Sequence, residues 1–206
     1  MYLPSHFKVE EFEVIKDFLA AYPLGNVISF AENSLQMSYL PFLLEIENDK
    51  MSLIGHLARS NTQLASLKDA KVLVGFQGPD RYISPTWYVS PNEVPTWNYA
   101  VVEVRGRVEL IDDFGGIEEI LSKSTTCFEK RNQTDWVYNL PEARRQMMVK
   151  HIVGIKIHIE HIEGKFKLSQ NRKTPDEAKV FRNLEASPST TDHEMAKWKD
   201  RLESTS

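Results

Sequence analysis

The residues best placed to do chemistry form a short run, GHLARSN, from Gly55 to Asn61. Arg59 offers a fork of N–H donors, Ser60 and Asn61 add side-chain donors, and a short helix through Leu67 is expected to follow them. A strand-to-helix junction of this kind suits a phosphate, because donors and the positive end of the helix converge on one point. The same residues could simply cap the helix while Arg59 pairs with a surface acid, and capped helices are the commoner case. A second group lies in VLVGFQGPDRYISPTWYVSPNEVPTWNYAVVEV, Val72 to Val104, which carries Tyr82, Trp87, Tyr88, Trp97 and Tyr99 among Pro79, Pro85, Pro91 and Pro95. Rings this dense, punctuated by residues that fix φ and remove backbone donors, read as β-structure with flat amphipathic side chains at its strand ends. Such a surface suits a planar ligand or a partner subunit; the competing reading is ordinary barrel core. A third group, Lys167 to Asn171 (KLSQN), sets several hydrogen-bonding heads at the end of a strand. A ring edge with alternating donors and acceptors needs such a set, and so would a simple turn.

Other candidates carry less. His158, Glu160, His161 and Glu163 are dense, but on a strand His158 and Glu160 share an outward face with Lys156, which reads as solvated surface and not as a metal site. The single cysteine, Cys127, excludes an intrachain disulfide, lies far from any histidine in sequence, and is expected to be a plain, partly buried thiol. There is no Gly-x-Ser-x-Gly, Walker or dinucleotide glycine motif, and no residue stands out as a general acid or base, so the catalytic set is unassigned. Net charge is −4 over 206 residues with the two signs interleaved, which argues against a large nucleic-acid face. Local basic runs remain at Lys123–Arg131, Arg144–Lys150 and Lys165–Lys173. No apolar run suggests a signal or a membrane span, so the expected compartment is the cytoplasm.

The elements that must position these groups follow from periodicity. Residues 8–22 read as an amphipathic helix ended by Pro23 and Gly25, and Asn26–Phe30 opens the β-region. Leu35–Ile46 reads as one strand interrupted at Pro41, turning at Asn48-Asp49 into a hairpin with Met51–Leu57. Lys71–Gln77 is a strand broken at residues 77–79, and Arg81–Ser84 and Thr96–Ile111 complete the sheet, with a bend or bulge expected at Gly106. Residues 112–150 read as helical, with Pro141 at a first helical position. Ile155–Ile159 alternates as a half-buried strand, and a turn is expected near Gly164. Thr174–Glu177 and Thr191–Glu194 read as capping boxes of two tail helices. The predicted fold is mainly β with helices, α+β, an antiparallel barrel over 1–172 followed by a helical tail over 173–206.

Six stretches in this order also carry a resemblance: MYLPSHF at the start, LPFLLE (40–45), GHLARSN-x-Gln (55–63), FQGP-x-x-YISP-x-WY (76–88), VPTWNY (94–99) and GKFKLSQNR (164–172). Together they resemble the PaiB family, FMN-binding proteins described as negative transcriptional regulators of the protease-synthase and sporulation type. The resemblance implies a split β-barrel of the flavin-reductase and pyridoxamine-phosphate-oxidase type, acting as a homodimer with FMN at the subunit interface. It implies that Arg59, Ser60 and Asn61 hold the phosphate with Gln63 nearby, and that Leu40, Pro41 and Phe42 run along the isoalloxazine. Trp87, Trp97 and Asn98 would close the pocket, and Lys167, Ser169 and Gln170 would contact the ring or ribityl chain from the other subunit. Two departures stand out. Ser38-Tyr39 replaces the family's Thr-His pair, which changes the ring environment, and Asn61-Thr62-Gln63 replaces Asn-Pro-Gln. The implied function is transcriptional regulation, direct or indirect; the alternatives are an FMN-dependent oxidoreductase without a DNA role, or a barrel that has lost its cofactor.

Overall fold

A computed structural model describes residues 1–31 and 33–204. Its strands are β1 (Lys8–Val9), β2 (Leu24–Ala31), β3 (Ser34–Pro41), β4 (Leu43–Glu47), β5 (Lys50–Ala58), β6 (Lys71–Ile83), β7 (Thr96–Ile111) and β8 (Ile152–Lys167). The helices are α1 (Phe12–Ala21), α2 (Leu64–Leu67), α3 (Phe114–Arg131), α4 (Glu142–Val149), α5 (Thr174–Glu185) and α6 (Thr190–Glu203). Hydrogen-bonded strand order is β3-β2-β6-β7-β8-β5-β4, with β1 added to β8. The β1–β8, β2–β3, β4–β5 and β5–β8 pairs are antiparallel.

Two compact units share the long strands β6, β7 and β8. The first comprises Met1–Tyr22, Phe76–Glu103 and Glu163–Ser206; the second comprises Pro23–Gly75 and Val104–Ile162. In the first unit the tail helices join α1 around an aromatic centre. Phe18 lies 5.1 Å from Phe166 and 5.2 Å from Trp198, centroid to centroid. The Trp198 indole donates to the Tyr22 hydroxyl at 3.1 Å, so the polar edge of this cluster is satisfied. In the second unit the alternating inward residues of the strands, among them Val27, Leu53, Leu57, Val74, Val104, Ile155 and Ile157, are buried with Ile117 and Ile120 of α3.

Several expected boundaries move, each for a physical reason. The predicted strand over 35–46 is two strands. Pro41 ends β3, and the Phe42 amide turns to the Pro23 carbonyl at 2.9 Å. The break expected at residues 77–79 does not occur, and β6 runs through Pro79. Gly78 is needed there for a different reason, since a Cβ would stand 2.6 Å from the Phe18 ring. Gly106 likewise leaves β7 unbroken; a Cβ would sit 2.3 Å from the His158 carbonyl, so the glycine admits a neighbouring backbone. No turn forms at Gly164, because Lys8 and Val9 pair with Lys165 and Gly164 and extend the ladder. Those two residues are therefore lost from the predicted first helix. The expected turn at Asn48-Asp49 is present, with φ of 49° and 62°, the left-handed pair that a two-residue hairpin needs. Neither tail capping box forms: the caps are Lys173 and Ser189, without side-chain cap bonds. Pro141 is the cap of α4 and not its first residue, and Cys127 is exposed instead of partly buried.

Candidate functional site

The residues singled out from sequence fall into two sets, one in each unit. In the second unit, Arg59 to Gln63 form the turn that leaves β5. The following helix α2 has only four residues, so the helix-dipole contribution expected here is negligible. Asn61 and Gln63 build the turn itself. Asn61 Oδ1 accepts the Gln63 amide at 2.9 Å and its Nδ2 donates to Ser38 Oγ at 3.0 Å. Gln63 is buried; its Nε2 faces the Val27 carbonyl (3.1 Å), Ser29 Oγ (3.0 Å) and the Gln36 carbonyl (3.2 Å), so it ties the turn to the β2–β3 hairpin. Its Oε1 is buried without a hydrogen-bond partner among the described residues.

Arg59 is exposed and held from one side. Its Nη2 donates to Asp112 Oδ1 at 2.5 Å and to the Ile152 carbonyl at 2.9 Å, and its Nε donates to the Lys150 carbonyl at 3.0 Å. The hydrogen bond with Asp112 raises the arginine and lowers the aspartate from their ordinary values. Ser60 and Thr62 are exposed, and their hydroxyls and amides are engaged by no partner among the described residues. The donor set open to an anion is thus the Ser60 and Thr62 hydroxyls, two backbone amides and the outer edge of the Arg59 guanidinium. Of the three residues expected along a ring, Leu40 and Phe42 are buried and Pro41 is exposed. Pro41 borders an open groove of about 420 Å³ with Pro23, Leu24, Phe128, Arg131 and Asn132.

In the first unit, Trp97 is 49% exposed and Tyr82, on β6, is 47% exposed. The two rings meet edge to face at 6.0 Å between centroids. The Trp97 indole donates to Asp80 Oδ1 at 3.0 Å, which fixes its orientation. Tyr88, by contrast, is buried, so the aromatic stretch divides between core and surface. Lys167 Nζ donates to Thr96 Oγ1 and, at 2.9 Å, to the Trp97 carbonyl. Burial, then the charges of Lys165 and Arg172, hold this ammonium below the ordinary lysine value. Asn98 and Ser169 are fully enclosed and bond reciprocally, at 2.9 Å and 3.2 Å. Gln170 is taken up by its own turn: its Oε1 accepts from the Leu168 amide and its Nε2 donates to the Phe166 carbonyl. Trp87 stands on a 3-10 turn (Pro85–Trp87), with the Arg81 guanidinium carbon 5.7 Å from its ring centre. Of this set, Trp97 and Lys167 present functional groups, while Asn98, Ser169 and Gln170 shape the backbone beneath them.

Sequence reasoning named Tyr82 but missed Asp112 and Asp80, and it read Asp176 only as part of a capping box. Asp112 and Asp176 lie 53 and 86–87 residues from the groups they hold, and no local pattern marks them. Asp80 would have followed from carrying β6 through Pro79. His56, on β5 ahead of the turn, is partly buried, and burial pushes its pKa down.

Residues 1–161 match a family model described as "Putative FMN-binding domain". Over 202 residues the chain is 33% identical to protease synthase and sporulation protein PAI 2 of Bacillus subtilis, covering 95% of each. The chain belongs to the PaiB family of FMN-binding-domain proteins. An uncharacterised protein of Emericella nidulans is 28% identical over 227 residues, covering 90% of each chain. Among solved structures, the FAD and heme binding protein from Mycobacterium smegmatis superposes with a TM-score of 0.62 at 13% identity, covering 83% of this chain and 78% of that one. The flavocytochrome Anf3 from Azotobacter vinelandii gives 0.59 at 17% identity, covering 89% and 76%. At such identities the superpositions establish the fold, a split barrel, and the family establishes the cofactor, a flavin. The residues present fit that group. A PaiB-family flavin mononucleotide needs an anion site and a flat partner; this chain offers the Ser60 and Thr62 donors, unengaged among the described residues, beside one edge of Arg59, and exposed rings at Tyr82 and Trp97.

Proposed function

We propose that this protein binds FMN at the interface of a homodimer and regulates transcription negatively through that flavin. Its expected compartment is the cytoplasm; among the described residues no helix is long and apolar enough to cross a membrane. The observation that carries the reading is the turn after β5. Its backbone is fixed by Asn61 and Gln63, while Ser60, Thr62 and one edge of Arg59 point donors outward. Arg59, Ser60 and the amides of this turn hold the phosphate. Asn61 and Gln63 act by keeping the turn in shape. Pro41 lies beside the ring, with Leu40 and Phe42 packed behind it. Trp87, Trp97 and Lys167 come from the second copy and cover the isoalloxazine, supported by Asn98, Ser169 and Gln170. When bound, the flavin supplies hydride or electron transfer.

The surface that supports dimerisation is the outward face of the β2–β3 hairpin. Register places Phe30 opposite Leu35, Ile28 opposite Met37, Asn26 opposite Tyr39 and Leu24 opposite Pro41 on that one face. Leu24, Phe30, Leu35, Met37 and Tyr39 are each more than half exposed. A contiguous apolar stripe on an edge hairpin suits a self-complementary contact with a second copy. Tyr39, one of the two departures from the family pattern, lies on this stripe and not in the buried face.

Regulation through a partner protein, and not through direct DNA contact, agrees with the charge pairing. In the basic runs, Lys123 pairs with Glu45 and Glu119, Arg145 with Glu118, and Arg172 with Glu93. Cations neutralised in this way contribute little to phosphate binding. Saturable quenching of FMN fluorescence, followed by a gel-shift titration in salt, tests the reading. It predicts flavin binding without a steeply salt-dependent DNA shift. A protein that ignores FMN contradicts it, and a DNA shift with steep salt dependence would point to direct contact with DNA phosphates.

A further inference from the structure

We propose that α5, the first of the two tail helices, is a positioning element for Trp87, acting through the carboxylate of Asp176. The inference rests on the reading that Trp87 covers the flavin.

The segment between β6 and β7, Ser84 to Pro95, has no ladder partner and contains Pro85, Pro91 and Pro95. Its place must be set by contacts from elsewhere. Those contacts come from α5 and the turn before it. Asp176 is 1% exposed. Its Oδ1 accepts the amides of Val89 at 2.6 Å and Ser90 at 2.8 Å, and its Oδ2 accepts the Ser90 hydroxyl at 2.6 Å. One turn further along, Lys179 Nζ donates to the carbonyls of Thr86 at 3.1 Å and Tyr88 at 2.9 Å, the two residues that flank Trp87. Arg172 lies 4.6 Å over the Tyr88 ring. The far side of Trp87 is braced as well. Arg81, whose guanidinium approaches the Trp87 ring, stands 3.4 Å from Asp192 of α6, itself 1% exposed.

Asp176 is at the start of a helix but does not cap it, since that end has no side-chain cap bond. A buried carboxylate taking two amides and a hydroxyl from a distant segment fixes that segment, because leaving those donors unpaired inside the protein is costly. The family model ends at residue 161, whereas the match to PAI 2, covering 95% of each chain, runs on through α5. In this arrangement the tail sets one wall of the pocket.

The test uses full-length protein with Asp176→Ala, Asp176→Asn and Ser90→Ala. Hydrogen exchange of residues 86–92 reads the loop. FMN fluorescence quenching and the visible circular dichroism of bound flavin read the site. In Asp176→Ala the loop exchanges faster, FMN binds about tenfold more weakly and the dichroism band changes. Asp176→Asn and Ser90→Ala give smaller effects in the same direction. In a Trp87→Ala background the Asp176 substitutions have no further effect on FMN, since they act through that ring. Should Asp176→Ala fail to fold, the two milder variants decide. A loop that loosens while affinity and dichroism stay at wild-type values would make the tail merely structural and overturn the proposal. Additive losses in the Trp87→Ala background would overturn it too. Wild-type protein that takes up no FMN would remove the reading beneath it, an outcome distinct from both.

Discussion

Replacing Leu35 with glutamate is the sharpest perturbation of the proposed dimer. Leu35 lies on β3 with 71% of its surface exposed, so the substitution touches no core and leaves the folded subunit intact. Burying a leucine that begins this exposed contributes about 2 kcal/mol at ~25 cal/mol per Å². A two-fold interface uses each position twice, so losing both copies costs about 4 kcal/mol, roughly a thousandfold in the dimer dissociation constant. Placing a carboxylate against the partner's stripe adds to that loss. Sedimentation equilibrium over a concentration series measures it directly, with thermal unfolding as the check on the subunit. The variant should be monomeric at concentrations where the wild type is dimeric, and its FMN affinity should fall with the dimer, since each site draws residues from both copies. A Leu35→Glu protein that stays dimeric would refute the assignment of this face. A monomer that binds FMN as tightly as the wild type would refute the placement of the cofactor.

Three further outcomes follow from the site. Ser60→Ala removes a hydroxyl aimed at solvent, so it should weaken FMN several-fold in a fluorescence titration, leave riboflavin binding unchanged, and leave the melting temperature unchanged. Lys167 has its pKa depressed by burial, then by Lys165 and Arg172, so as pH rises it loses its proton before an ordinary lysine does. FMN affinity that depends on this charge should therefore decline with rising pH already below 10.5, and Lys167→Met should abolish that decline in a pH series of titrations. Gln63→Ala strips the hydrogen-bond partner from the Val27 and Gln36 carbonyls and Ser29 inside the second unit, at a cost of about 1–3 kcal/mol in urea unfolding.

What was legible in the sequence was what local spacing encodes. The Asn48-Asp49 turn, the strand over Thr96–Ile111 and the half-buried strand over Ile155–Ile159 all found their places. The long strands were harder. Pro79, Gly106 and Gly164 are local signs of interruption, yet each lies within a continuous strand. The ladder tolerates one missing donor, and the glycines answer to neighbours distant in sequence: Phe18 beside Gly78, His158 beside Gly106, Val9 beside Gly164. The site divides in the same way. The residue types around Arg59 and Trp97 announce an anion turn and a flat surface. Which members face outward is settled by partners such as Asp112, Ser38 and Asp80 on other strands and helices. The resemblance implied that Asn98 and Ser169 touch a ligand, but in the structure they hydrogen-bond to each other.

The central claim is that a flavin carrying a phosphate binds this barrel. Mass spectrometry of the small molecules that co-purify with full-length protein tests it most directly. The account predicts FMN, one per subunit, lost on Arg59→Ala and Ser60→Ala double substitution with the fold retained. Protein free of any flavin that also fails to take up added FMN would contradict it.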